Sequence, residues 1–195
     1  MIDSALPTFR IPERTCIPQA QPEAKGAVSL ASPALDVMTD LTQVRAATAA
    51  PDVSLDTAEQ LMIHQGVRML FIVRELPCIE GLITTTDLLG EKPMRVIQQR
   101  GIRHQDLRVA DVMTELSMID AIDFDVLKAA TVRHVIATFR KFGRNHLLVV
   151  QGFTADSPAR IRGVLSLTQL ERQLGYGIGS TEIASSFAEI ERVLL

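Results

Sequence analysis

Asp36-Val37-Met38-Thr39 recurs as Asp111-Val112-Met113-Thr114, and the surrounding chain repeats with it. Gly66-Val67-Arg68-Met69-Leu70-Phe71-Ile72-Val73 is answered by Gly143-Arg144-Asn145-His146-Leu147-Leu148-Val149-Val150. Gly81-Leu82-Ile83-Thr84-Thr85-Thr86-Asp87-Leu88 is answered by Gly163-Val164-Leu165-Ser166-Leu167-Thr168-Gln169-Leu170. The three blocks keep their order while the spacing between copies widens. Loop insertions produce that pattern, because loops accept added length and packed elements do not. The extra residues fall mainly in the polar stretch 151–162, which holds Gly152, Asp156, Ser157 and Pro158.

Both copies carry the same coarse secondary structure. Ser54 caps a helix whose apolar positions Leu55, Ala58, Leu61 and Met62 follow helical spacing, and Gly66 stops it. In the second copy Thr131 is the cap, Val132, Val135, Ile136 and Phe139 form the stripe, and Gly143 is the stop. Each helix leads into an apolar run, Met69–Val73 or Leu147–Val150, with the Val and Ile content of a buried strand. A further strand follows (Ile79–Ile83 and Ile161–Leu165), then a short helix from about Thr85 or Leu167. The order strand, helix, strand, strand, helix predicts an α/β unit with a three-stranded sheet covered by helices. One unit of roughly 60 residues is marginal alone, so the two are expected to share a core as one structural domain.

Composition excludes several classes. The 195 residues are 47% hydrophobic and 22% charged, as in ordinary globular chains. No apolar run approaches the ~18 residues of a membrane span. Met1–Thr15 includes Asp3, Glu13 and two prolines without an apolar run, so no leader peptide is expected. A net charge of -3 and a pI near 5.8 argue against nucleic acid as a partner. Cys16 and Cys78 fit no metal or redox spacing, and the four histidines have no paired ligand spacing, so no metal site is expected. The expectation is a cytoplasmic protein with free thiols and no membrane contact. No nucleophile motif, P-loop or dinucleotide fingerprint appears, so no enzymatic activity is expected. Met38 and Met113, at equivalent repeat positions, read as core fillers.

The flanks differ from the repeats. Residues 1–33 hold Pro7, Pro12, Pro18, Pro22 and Pro33 and read as an extended arm. Residues 91–107 are rich in charge and read as a solvated connecting helix between a first repeat at 34–90 and a second at 108–175. In residues 176–195, Ile183, Phe187, Ile190 and Leu194 form one stripe of an amphipathic terminal helix capped by Ser180 or Thr181. That stripe calls for cover by the chain's own body or a second subunit.

The tandem Asp-Val-Met-Thr, the capped helix, Gly-x-x-x-Leu-x-Val-Val and Gly-hydrophobic-hydrophobic-Thr/Ser-x-x-Asp together resemble a pair of cystathionine beta-synthase (CBS) domains. The resemblance runs from about Leu35 to Gly175 and shows no catalytic domain beside it, as in a stand-alone pair. It implies two repeats related by a pseudo-twofold axis, often dimerised. It also implies a regulatory module that binds AMP, ADP, ATP or S-adenosylmethionine between the repeats, acts on a partner protein and requires no cofactor. The alternative is a structural dimerisation module whose ligand site has decayed.

Carried onto this chain, the family's ribose-and-phosphate motif falls on Gly81, Thr84, Thr85, Thr86 and Asp87, and in the second copy on Ser166, Thr168 and Gln169. An ionised carboxylate accepts from two neighbouring ribose hydroxyls, so Asp87 marks the competent cleft; Gln169, a neutral amide, marks a weakened or empty one. Arg68, Arg144, Asn145 and His146 stand where the family often places phosphate contacts. The family's usual proline in that strand is replaced by Phe71 and Leu148. The stretches Ala46–Pro51 and Ala121–Asp123, with Ala47, Thr48, Ala121 and Ile122, are the candidates for an adenine slot. A second role competes at the motif: Thr84-x-x-Asp87 and Ser166-x-x-Gln169 also fit a helix capping box, which every repeat needs whether or not it binds a ligand.

Overall fold

The computed structural model describes residues 27–152 and 159–178. The arm up to residue 26 and the terminal amphipathic helix from residue 179 onward lie outside the described residues. In the first copy a 3-10 turn (Ala34–Val37) runs into β1 (Met38–Asp40), followed by β2 (Thr48–Ala49), α1 (Leu55–Gln65), β3 (Met69–Ile72), β4 (Gly81–Thr84) and α2 (Thr85–Leu89). Helix α3 (Glu91–Arg100) and a 3-10 turn (His104–Asp106) connect to the second copy. There α4 (Val109–Val112), β5 (Thr114–Glu115), β6 (Ala121–Asp123), α5 (Phe124–Lys128), α6 (Val132–Phe142), β7 (His146–Gln151), β8 (Arg160–Ser166) and α7 (Leu167–Leu174) follow.

The helix limits obey the local chemistry. Ser54 Oγ accepts the Thr57 N–H at 3.1 Å, and α1 ends at left-handed Gly66 (φ 64°). Helix α6 ends the same way at Gly143 (φ 59°). The free N–H groups of its first turn have partners from outside the repeat. Val132 N–H donates to Ser32 O (2.9 Å) and Arg133 N–H to Leu30 O (3.1 Å). The end of the proline-rich arm is therefore bound to the second repeat, with Val28 and Leu30 packed on its core.

Two four-stranded sheets form, ordered β2-β3-β4-β5 and β1-β8-β7-β6. Each holds the three strands expected of one copy, in parallel-then-antiparallel pairing, plus a fourth strand from the other copy. The three-stranded expectation is corrected by this exchange. Strand β1 lies antiparallel to β8 (Met38 opposite Leu165) and β5 lies antiparallel to β4 (Leu82 opposite Thr114). Both exchanged strands are too short to carry a periodicity signal of their own.

The pleat divides the core into layers. Leu70, Ile72 and Ile83 face the helices of the first copy, while Met69, Phe71 and Leu82 face the second sheet. Leu147, Val149 and Leu165 face the second copy's helices, and Leu148 and Val164 meet the first sheet. Helix α3 departs from the solvated reading. Pro93, Val96 and Ile97, at i, i+3 and i+4, pack with fully buried Leu107 against the first core. The flanking charges obscured that stripe in the sequence; Arg95 pairs with Glu91, and Arg100 with Asp111. No helix among the described residues is long and apolar enough to cross a membrane.

Glycine is required where the exchanged strands cross. A Cβ on Gly81 would lie 2.3 Å from the Thr114 carbonyl oxygen, a backbone atom held in the β4–β5 ladder. A Cβ on Gly163 would lie 2.5 Å from Met38 Sδ and 2.8 Å from Thr39 O. Gly81→Ala is therefore expected to lower stability by about 1–3 kcal/mol through overpacking, read as a reduced urea midpoint. An unchanged midpoint would mean that β5 does not hold its place against β4.

Candidate functional site

The two copies use the same motif differently. In the first, Asp87 closes a full capping box: its Oδ2 accepts from Thr84 N (2.9 Å) and Thr84 Oγ1 (2.7 Å), while Asp87 N–H donates to Thr84 Oγ1 (3.3 Å). Its other oxygen, Oδ1, takes the Lys92 ammonium at 2.5 Å. Lys92 Nζ also donates to Thr114 Oγ1 (3.0 Å) and Val112 O (3.4 Å). A side chain from α3 thus ties the first copy's carboxylate to the exchanged strand. The Asp87 side chain is 12% exposed and both its oxygens are engaged. Gly81 is approached here by the Thr114 backbone.

In the second copy the box is half made. Ser166 Oγ accepts the Gln169 N–H at 3.5 Å, but Gln169 does not reach back. Its Oε1 instead accepts from Thr39 Oγ1 of β1 at 3.2 Å. Thr39 and Thr114 are the equivalent residues of the repeated Asp-Val-Met-Thr, so each motif meets the threonine of its exchanged strand. One contact is direct and neutral; the other runs through an ammonium. The sequence is consistent on this point, since Leu174 stands where symmetry would place a second Lys92, and Gln169 where it would place a second Asp87. Both charges are present in one copy and both absent in the other.

A cavity of about 410 Å³ opens on the Gln169 side. Its apolar wall comes from Leu41, Val44, Ala46, Ala47, Met69, Phe71 and Val164; its polar end comes from Thr39, Ser166, Thr168 and Gln169. Arg45, Arg68 and Arg172 stand around it. Arg68 Nη1 donates to Thr168 Oγ1 at 3.4 Å, carrying a first-repeat guanidinium across to the second-repeat motif. His146 also lines the cavity, and its Nδ1 is buried without a hydrogen-bond partner. Burial, and then the positive charge of Arg68, hold its pKa below the ordinary 6.5.

Of the expected site residues, the structure gathers Ala47, Arg68, His146, Ser166, Thr168 and Gln169 at this cavity. Gly81, Thr84, Thr85, Thr86 and Asp87 lie at the other crossing. Thr48 in β2 and Ala121 and Ile122 in β6 do not line it either. Arg144 donates to Met118 O (3.4 Å) near Asp120, and Asn145 O accepts the Leu167 N–H (3.0 Å). Sequence reasoning passed over Thr39, Arg45 and Arg172. Thr39 lay inside the repeated block, where its signal was read only as repetition. Arg172 follows Gln169 by one helical turn, a spacing that places both on one side of α7. Among the described residues no group of three or more His, Cys, Asp or Glu gathers as metal ligands would.

Residues 34–93 match the family model of the CBS domain. No curated protein matches the chain in sequence. Among solved structures, an uncharacterized conserved protein from Pyrococcus horikoshii is 18% identical, covering 74% of this chain and 93% of its own at a TM-score of 0.53. CBSX2 in complex with AMP is 19% identical, with 72% and 94% covered and a TM-score of 0.50. The CBS domain pair of protein MJ0100, in complex with 5'-methylthioadenosine and S-adenosyl-L-methionine, is 19% identical, with 74% and 97% covered at 0.50.

The buried imidazole makes a prediction about pH. The unfolded chain protonates His146 near its ordinary value of 6.5, while the folded protein resists the charge. The stability this residue contributes is thus present above that value and lost as pH falls through the depressed folded value. The urea midpoint is expected to drop between about pH 7 and about pH 5, and His146→Gln to flatten the drop. An identical slope in the variant would assign the pH dependence elsewhere.

Proposed function

Starting from a chain that carries a CBS domain at residues 34–93 and folds as a CBS-domain pair, we propose that it is a regulatory module with one working cleft, on the Gln169 side, for an adenosine-type ligand. One observation carries this reading. The cavity joins an apolar wall to a polar end built on the Ser166–Gln169 motif, and its volume lies in the range of small-molecule sites, about 300–1,000 Å³. Leu41, Val44, Ala46 and Ala47 offer an apolar surface for the base. Ser166 and the Gln169 amide offer the ribose hydroxyls neutral donors and acceptors. The pairs crystallised with AMP, and with methylthioadenosine and S-adenosylmethionine, support the ligand class.

Asp87 is assigned to the fold rather than to the ligand. A ribose competing for its Oδ1 has to displace the Lys92 ammonium, which is a charge-assisted contact, and leave that ammonium uncompensated. The module acts by binding alone. The cavity is lined from both sheets, so a ligand that fits one arrangement of the repeats better shifts their populations, and a partner protein reads the shift.

Titration calorimetry against AMP, ADP, ATP, adenosine and S-adenosylmethionine tests the reading. One ligand per chain is expected. Gln169→Ala together with Ser166→Ala is expected to weaken binding about tenfold or more, the loss of two hydrogen bonds. Asp87→Ala is expected to cost about 2–4 kcal/mol of stability, through the broken capping box and the lost Lys92 contact, and to leave affinity within about twofold. Two ligands per chain, or loss of binding in Asp87→Ala, would move the site to the other cleft. No binding of any of the five would leave a structural dimerisation module.

A further inference from the structure

We propose that this cleft selects for phosphate-bearing nucleotides against the uncharged nucleoside and against the sulfonium ligand S-adenosylmethionine, with Arg45, Arg68 and Arg172 as the selecting residues. The inference rests on the reading above and adds the charge of the ligand to it. Three guanidinium groups line the cavity, and no aspartate or glutamate does. The carboxylates nearest in sequence are committed elsewhere. Asp40, next to Thr39, is paired with Arg162 and accepts from Thr42 N and Thr42 Oγ1 at 2.8 and 2.7 Å. Glu171, next to Arg172, accepts the Ile178 N–H at 2.9 Å. Among the described residues, Arg45 and Arg172 have no carboxylate partner, and Arg68 has only the neutral Thr168 hydroxyl.

Replacing the motif's acid by Gln169 has the same consequence. At the other crossing the motif position is a carboxylate already paired with Lys92; here it is neutral, so nothing in the motif balances an incoming cation. A phosphate entering between Arg68 and Arg172 meets two forks of N–H donors and, beside them, the Ser166 and Thr168 hydroxyls. S-adenosylmethionine brings a sulfonium and an ammonium against a single carboxylate, so a net positive ligand meets three guanidinium groups. The low-polarity wall of Leu41, Phe71 and Val164 leaves that repulsion less screened than on an open surface.

The test uses the full chain and compares AMP, adenosine, 5'-methylthioadenosine and S-adenosylmethionine by calorimetry at about 0.05 M and about 0.5 M salt. AMP is expected to bind about tenfold or more tighter than adenosine or methylthioadenosine at low salt, with the gap shrinking at high salt, and S-adenosylmethionine to bind weakest. The double variant Arg68→Gln, Arg172→Gln is expected to bring AMP to the affinity of adenosine, with a urea midpoint like that of the parent chain reporting that the variant is folded. Adenosine or S-adenosylmethionine binding as tightly as AMP overturns this inference and leaves the proposed site standing. Silence from all four ligands, and from ADP and ATP, overturns both.

Discussion

Each sheet of this protein is completed by a strand from the opposite copy, and that exchange governs the rest. Strand β1 closes the second sheet and β5 closes the first, so neither repeat holds four strands without its neighbour. The crossings work because Gly81 and Gly163 have no Cβ to hold the incoming backbone away. Between the sheets, Phe71 and Leu82 meet Leu148 and Val164, in a layer that neither copy could bury alone. A single repeat would leave a ladder edge and an apolar sheet face exposed together. The pair is therefore the folding unit, and at both crossings a strand from one copy meets the motif of the other.

The two crossings are equivalent in backbone and unlike in charge. On one side a threonine hydroxyl meets an amide directly; on the other an ammonium sits between a threonine hydroxyl and a carboxylate. Inserting Lys92 closes that side with three contacts, to Asp87, Thr114 and Val112, and fixes α3 against the first copy. Leaving out both charges on the other side leaves space beside Gln169, and arginines from both copies border it. The carboxylate of the first copy is engaged by Lys92, and the cavity opens beside the neutral Gln169 of the second.

This reverses the emphasis that the residues alone invite, and the reason is physical. The repeat, the helix caps at Ser54, Gly66 and Gly143, and the buried strands could be read locally, because capping and pleat alternation depend on neighbours in sequence. The exchange was not legible, because a strand of two or three residues has no period. The state of Asp87 was not legible either. A capping box and a ribose site demand the same Thr-x-x-Asp spacing, and that spacing does not show that Lys92 stands against the carboxylate. Lys92 itself read as one of several charges on a solvated helix; the buried face of Pro93, Val96 and Ile97 is what aims it inward. Arg45 and Arg172 belong to no repeated block, and they reach the cavity through the placement of a loop and a helix face.

An open crossing beside a clamped one has an energetic consequence. Lys92 supplies polar contacts between the copies as part of the chain, present at every ligand concentration. A molecule held beside Gln169 supplies the matching contacts only in proportion to its occupancy, adding about 2.7 kcal/mol when its concentration is a hundred times its dissociation constant. That is the size of a charge-assisted hydrogen bond such as the one from Lys92 to Asp87. Because the cavity takes Met69 and Phe71 from one sheet and Val164 and Ser166 from the other, any change in the angle between the copies changes the site. Affinity and the relative placement of the repeats are one equilibrium seen from two ends, since a ligand shifts an arrangement only as far as it prefers it.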